Sequence, residues 1–196
     1  MEDIFMNRCP RMAPKTSIVV RIRVYADWPL LQRMWHLFGS FREAKDRIRS
    51  QVQVHLDLAN AVYVKEKTGA PFEFQHQLRK DGVDLILLYS GKMPQDPSYE
   101  GLALDFGVMC DPGRSCALVY ANSDQPGITV AHEIAHTLGM YHDALPSELG
   151  NGCPAENGQY LIMSPFTTNT IQWSNCSSQE LLQNIGCFSC LRNRRY

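Results

Sequence analysis

The chain is short of anything that would tie it to a membrane or to nucleic acid. No apolar run in its 196 residues approaches the roughly 20 that a membrane-spanning helix needs. Neither sign of charge is in excess, since 19 basic side chains stand against 20 acidic ones for a formal net charge of -1. A protein built for phosphate backbones or anionic lipid should show a basic excess or stripe. The basic residues near the ends (Arg8, Arg11 and Lys15; Arg192, Arg194 and Arg195) are short solvated tails. No repeat, low-complexity tract or linker divides the chain, and a 44% hydrophobic content suits one sizeable core. The opening residues Met1 to Pro10 lack the charged and apolar segments of a secretory leader. The expectation is therefore a fragment of a longer precursor, or a gene lacking its first segment.

Cysteine is plentiful. Of the 7, six fall in the C-terminal half: Cys110, Cys116, Cys153, Cys176, Cys187 and Cys190. Irregular spacing through loop-like sequence favours a disulfide framework and an oxidising, extracellular compartment. The odd count leaves one thiol over if all pairing is internal, and Cys9 is the candidate. Cys187-x-x-Cys190 has no second CxxC with which to build a zinc ribbon.

Alternation over residues 17–25 reads as a strand. Residues 41–67 contain no proline or glycine, and Ile48, Val52, Leu56, Ala59 and Tyr63 recur at helical spacing, which predicts one long amphipathic helix. Gly69 to Pro71 ends it. Further strands are expected at 72–77, 84–90, 102–107 and 116–120, with helices at 128–138 and 177–185. This alternation points to a single α/β or α+β domain.

The chemistry lies in Thr129-Val-Ala-His132-Glu133-Ile-Ala-His136-Thr-Leu-Gly139-Met-Tyr-His142-Asp143. Residues four apart on a helix share a face, so His132 and His136 can present imidazole nitrogens to one ion. Gly139 ends the helix, because glycine takes a positive φ without steric cost. The chain then doubles back and His142 completes a three-histidine zinc site. Three protein ligands leave a fourth position for water, the mark of a catalytic rather than a closed structural site. Glu133, beside the first ligand, is placed to act as general base on that water. A lone HExxH arises by chance on many helices. Here half of the chain's 6 histidines fall within eleven residues, with the glycine at the required offset. His36, His55 and His76 have no ligand-spaced partners and read as ordinary surface or helix residues.

These residues resemble the metzincins, and more narrowly the adamalysin or reprolysin group, which includes ADAMTS-like and tick salivary metalloproteases. HExxHxxGxxHD is complete, and Leu161-Ile-Met163-Ser-Pro165 is similar to the group's Met-turn. Gly101-Leu-Ala-Leu-Asp-Phe-Gly-Val-Met-Cys110 resembles its substrate-binding edge strand, and Trp173-Ser-Asn-Cys176-Ser its signature before the last helix. The resemblance implies a mostly parallel twisted sheet with one antiparallel edge strand, a long helix and an active-site helix. It divides a single catalytic domain into a poorly ordered arm (1–16), an upper subdomain (17–142) and a disulfide-stapled lower subdomain (143–196). It implies a secreted, monomeric metalloendopeptidase that binds extended extracellular protein substrates, with Met163 packed beneath the three imidazoles and apolar side chains favoured in the primed pocket near Pro165. A zinc-retaining, catalytically weak binding protein is the alternative, motivated by the shortened upper subdomain.

The same resemblance implies the bridges Cys110–Cys190 and Cys153–Cys176, with Cys116–Cys187 as the residual pair. Cys9 is either a spare cysteine or the remnant of a zymogen switch. A second long helix belongs between the strands near Phe74 and Leu85, but only Gln75 to Asp84 span that gap. A structural calcium would fall to Asp84, the Cys190 carbonyl and Asn193. Arg21 stands where an acidic ligand belongs, so weak or absent calcium binding is expected.

Overall fold

Alternating burial in β1 (Ile18–Ala26) sets the two faces of the sheet: Ile18, Val20 and Ile22 are buried, whereas Val19, Arg21 and Arg23 are partly open. The computed structural model describes residues 18–64, 72–76, 82–143 (apart from 93, 95, 97 and 98), 150–154, 160–166 and 168–192. The N-terminal arm, Cys9 and Asn193 lie outside the described residues. After β1 come α1 (Trp28–Phe38), α2 (Phe41–Val64), β2 (Phe72–His76), β3 (Leu85–Ser90), β4 (Gly101–Ala103) and β5 (Cys116–Tyr120). Then follow α3 (Pro126–Thr137), α4 (Asn175–Asn184), a 3-10 turn (Ile185–Cys187) and α5 (Ser189–Arg192). The strand order is β2-β1-β3-β5-β4, with every pairing parallel except that of β4 with β5. This is the mixed α/β sheet with one antiparallel edge strand that the sequence led us to expect.

The long helix follows its apolar spacing: Ile48, Val52, Leu56, Ala59 and Tyr63 are all buried. Residues 65–67 of the predicted span lie outside the described residues. Small residues let α2 pack tightly on α3. A Cβ at Gly127 would come within 2.6 Å of Leu58 Cδ2, and the Tyr63 hydroxyl donates to the Ala131 carbonyl at 3.0 Å. This contact fixes the roll of α3 about its own axis, and with it the direction in which its histidines point.

The sheet register explains how β2 reaches β3 without a long crossover helix. His76 at the end of β2 and Leu85 at the start of β3 both pair with Ile22, on opposite sides of β1. The chain therefore leaves one strand and enters the next at the same level of the sheet. It has only to step across β1, two strand spacings of about 4.8 Å each. The dozen or more residues of an ordinary parallel crossover return the length of a strand, and here no return is needed. Residues 77–81 of the link lie outside the described residues.

Three expectations need correction. Helix α1 was not anticipated; Asp27 caps it by accepting from the Leu30 N–H at 2.9 Å, and Gly39 ends it at φ 68°. The strand expected over 102–107 is only β4, because the chain then turns down along α3: the Gly107 and Met109 N–H groups donate to the carbonyls of His136 and Thr137. The Thr137 carbonyl would otherwise be an orphan at the helix end, whereas that of His136 also accepts from the Gly139 N–H. The bridges Cys110–Cys190 and Cys153–Cys176 form as expected, with Cα–Cα distances of 5.7 and 6.0 Å. Cys116–Cys187 does not: Cys116 is a free thiol, and Cys187 is disulfide-bonded elsewhere.

The place where a calcium ion was considered is crossed by backbone hydrogen bonding. Asp84 is buried, its Oδ2 accepts from the Arg21 N–H at 2.9 Å, and its carbonyl accepts from Ser115 Oγ at 2.7 Å. With Arg21 beside this carboxylate, added calcium is expected to leave the melting temperature unchanged. A calcium-dependent rise in calorimetry would contradict this.

Candidate active site

The helix that carries the first two histidines ends in a glycine-dependent turn. The Met140 N–H donates to the Ala135 carbonyl and the Gly139 N–H to the His136 carbonyl, with Gly139 at φ 79°. This is the paired bonding of a Schellman end. Asn184 of α4 donates to the Gly139 carbonyl at 2.7 Å and holds the turn in place. The reversal brings His142 back over the helix.

The three imidazoles converge. Their Nε2 atoms lie 3.0 Å (His132–His136), 3.0 Å (His136–His142) and 3.1 Å (His132–His142) apart. Nitrogens about 2.0–2.1 Å from one tetrahedral zinc ion sit roughly 3.4 Å from each other, so the triangle fits with a slight expansion. His132 Nδ1 lies 2.6 Å from the Ile162 carbonyl and His136 Nδ1 lies 2.8 Å from the Met140 carbonyl. A carbonyl only accepts, so each Nδ1 carries the proton and each Nε2 turns a lone pair inward. Burial keeps these rings neutral: it brings the His132 pKa down to about 4, takes His136 well below the usual histidine value and lowers His142. Lone pairs crowded in this way repel unless a cation lies among them. Beside His142 the buried Asp143 Oδ2 has no hydrogen-bond partner among the described residues. The donor set fits zinc.

Glu133 is 4% exposed, and burial raises its pKa to about 8 against a backbone hydrogen bond from Ala103. Its carboxylate occupies the space over Gly101, where an added Cβ would lie 2.5 Å from Oε1 and 2.8 Å from Cγ. The edge strand therefore clamps Glu133 through one N–H and one missing side chain. The sequence had assigned Gly101 only to the substrate strand. Gly101→Ala should push the carboxylate aside and lower kcat by about tenfold or more, with KM little changed, as read by steady-state kinetics on a peptide substrate.

Successive carbonyls of the 161–165 turn hold the two ends of the three-histidine cluster. That of Ile162 takes the His132 Nδ1–H, and that of Met163 accepts from the Asp143 N–H at 2.7 Å. Met163 itself is wholly buried in the core. Asp143 Oδ1 collects Asn151 Nδ2 (2.7 Å), Ser174 Oγ (2.8 Å) and Ser177 Oγ (3.0 Å), and Ser174 also caps α4. The aromatic-Ser-x-Cys-Ser signature thus consists of a helix cap and two hydroxyl donors to Asp143.

Glu180 closes this network by accepting from the Tyr141 N–H at 3.1 Å and from Asn151. Burial raises its pKa from 4.5 to about 7, against those two bonds and with help from Asp143. A folded-state pKa above the unfolded one means stability that is fully present below pH 4.5 and lost as pH rises through 7. Glu180→Gln is expected to melt like the parent near pH 5 and above it near pH 8, by thermal denaturation at both values.

A cleft of about 200 Å³ runs past these groups, lined by β4, by α3 and by Ile162, Ser164, Pro165, Phe166 and Thr168. Phe106, outside the site as first read, packs edge-on against His136 and stacks on Tyr141. The remaining histidines stay outside the cleft. His55 stacks on Tyr89 and bonds its hydroxyl at 3.1 Å, His36 stacks on Trp35, and His76 ends β2.

Parts of the chain are similar to known metalloproteinases. A disintegrin and metalloproteinase with thrombospondin motifs 14 from Homo sapiens is 37% identical over 86 residues, 42% of this chain and 7% of the relative. The thrombospondin-motif relative numbered 2 from Bos taurus is 39% identical over 88 residues, 43% of this chain and 7% of that protein. The chain thus spans a small fraction of either relative's length. A solved structure titled "Structure of a chaperone-substrate complex" superposes on 91% of this chain and 40% of its own with a TM-score of 0.60 and 12% identity, a likeness of fold alone. Residues 40–194 match the Reprolysin (M12B) family zinc metalloprotease profile, and the chain belongs to that family.

Proposed function

We propose that the protein is a zinc-dependent metalloendopeptidase in which His132, His136 and His142 hold the metal and Glu133 is the general base. The observation that carries this reading is the triangle of Nε2 atoms 3.0–3.1 Å on a side, with the buried Glu133 carboxylate on the next residue of the same helix. A zinc ion held there supplies Lewis acidity toward a carbonyl oxygen and acidifies water. The chain's own residues do the rest. Exposed backbone of β4 pairs with an extended peptide as an added strand, which lays a peptide bond along the cleft. Glu133, held by the Ala103 N–H, takes a proton from the attacking water at its carboxylate and passes it to the departing amine nitrogen. Ile162 and Met140 keep the imidazoles in one tautomer throughout. In this reading the chain is one catalytic domain, secreted and monomeric, acting on extracellular proteins.

The reading is tested with a quenched-fluorescence peptide library. Cleavage should stop on chelation and return with one zinc per chain. Stoichiometric zinc without cleavage of any peptide would favour a metal-retaining binding protein and overturn the proposal.

A further inference from the structure

We infer that the cleft contains an acidic specificity pocket, with Glu100 at its end, that selects a substrate side chain having an apolar stem and a cationic tip, as in lysine or arginine. The inference rests on the peptidase reading and names the substrate class of that site. Glu100 immediately precedes β4 and lines the same cleft as His132 and Glu133. Its Oε2 accepts from Ser123 Oγ at 2.7 Å and from Thr129 Oγ1 at 2.9 Å, and those hydroxyls lie 3.1 Å apart. Two donors on one oxygen fix the direction of the carboxylate. Thr129 precedes His132 by three residues on α3, so the hydroxyl that holds the acid and the first histidine share one face of the helix.

Apolar side chains line the same cleft as Glu100 and the three histidines: Ile128 of α3, and Ile162, Pro165 and Phe166. A purely aliphatic side chain would satisfy those walls but would press methyl groups against a carboxylate and strip its water, which is unfavourable. A lysine stem contacts the same walls, and its ammonium meets the acid in a charge-assisted hydrogen bond. An acidic side chain would be repelled. The competing role for Glu100 is to tie β4 to the first turn of α3 through the two hydroxyls. A tie of that kind is indifferent to the charge of a bound side chain.

The test uses three hydroxamate peptides that differ only in the side chain next to the metal-binding group, namely lysine, norleucine or glutamate. Titration calorimetry on the zinc-loaded protein should give lysine about tenfold tighter than norleucine, with glutamate weakest. Glu100→Gln should bring the lysine-to-norleucine ratio close to one, and Glu100→Asp should keep the order. Norleucine equal to or tighter than lysine in the parent protein overturns the inference, as does an unchanged ratio in Glu100→Gln or no binding of any compound. The comparison within the parent protein stands even if the Gln variant does not fold. The predicted binding order without cleavage of any peptide would support the pocket's selectivity and overturn the peptidase reading alone.

Discussion

Glu133→Gln is expected to bind one zinc per chain, to melt no lower than the parent protein, and to lose about 10³-fold or more in kcat. The glutamine fills the same space over Gly101 and can still accept from the Ala103 N–H, so packing and the edge-strand clamp are preserved. It cannot take up a proton. Stability should hold or rise, because burial disfavours the carboxylate that it replaces. Glu133→Ala separates the two roles further, since it removes both base and clamp and should be at least as slow. Activity within tenfold of the parent in the Gln variant, with zinc content verified by elemental analysis, would remove Glu133 from the role of base.

Local signals, where strong, were legible. The α2 spacing placed five buried residues correctly, and the histidine offsets brought together three nitrogens from a helix and a loop. Features set by tertiary contact were not. The sequence of β4 looks apolar well past Ala103, yet hydrogen bonds from the Gly107 and Met109 N–H groups to the His136 and Thr137 carbonyls draw the chain out of the sheet. Helix α1 carried readable punctuation in Asp27, Pro29 and Gly39, but Trp28, Trp35 and Leu37 remain exposed around it and blur its periodicity. The stagger that makes a second long helix unnecessary exists only in the shared pairing of His76 and Leu85 with Ile22. Gly101 and Glu100 have no meaning as isolated letters. One is defined by the carboxylate above it, the other by two hydroxyls on a different element.

Asp143→Ala should be the most damaging substitution outside the ligand set, although Asp143 does not line the cleft. Ser174 and Ser177, both buried, would lose their shared acceptor, and half-buried Asn151 would keep only its bond to Glu180. Each unsatisfied buried group costs about 1–3 kcal/mol, and the two serines are coupled, so a net loss of about 3 kcal/mol is expected. For a domain of this size that is roughly 6–12 °C in melting temperature. Function should suffer beyond stability. The Asp143 N–H anchors the Met163 carbonyl, and the neighbouring Ile162 carbonyl orients His132, so loosening this junction disturbs the first and third ligands together. Zinc affinity is therefore expected to fall by about 10–100-fold, the usual cost of losing an outer support of a metal site. Asp143→Asn retains an acceptor for the two serines but cannot supply charge beside His142, and should fall between parent and Ala in both measurements. Competition titration against a zinc chelator, run well below the melting temperature of each variant, separates the two effects. An Ala variant that melts lower but binds zinc as tightly as the parent would confine Asp143 to holding α4 in place.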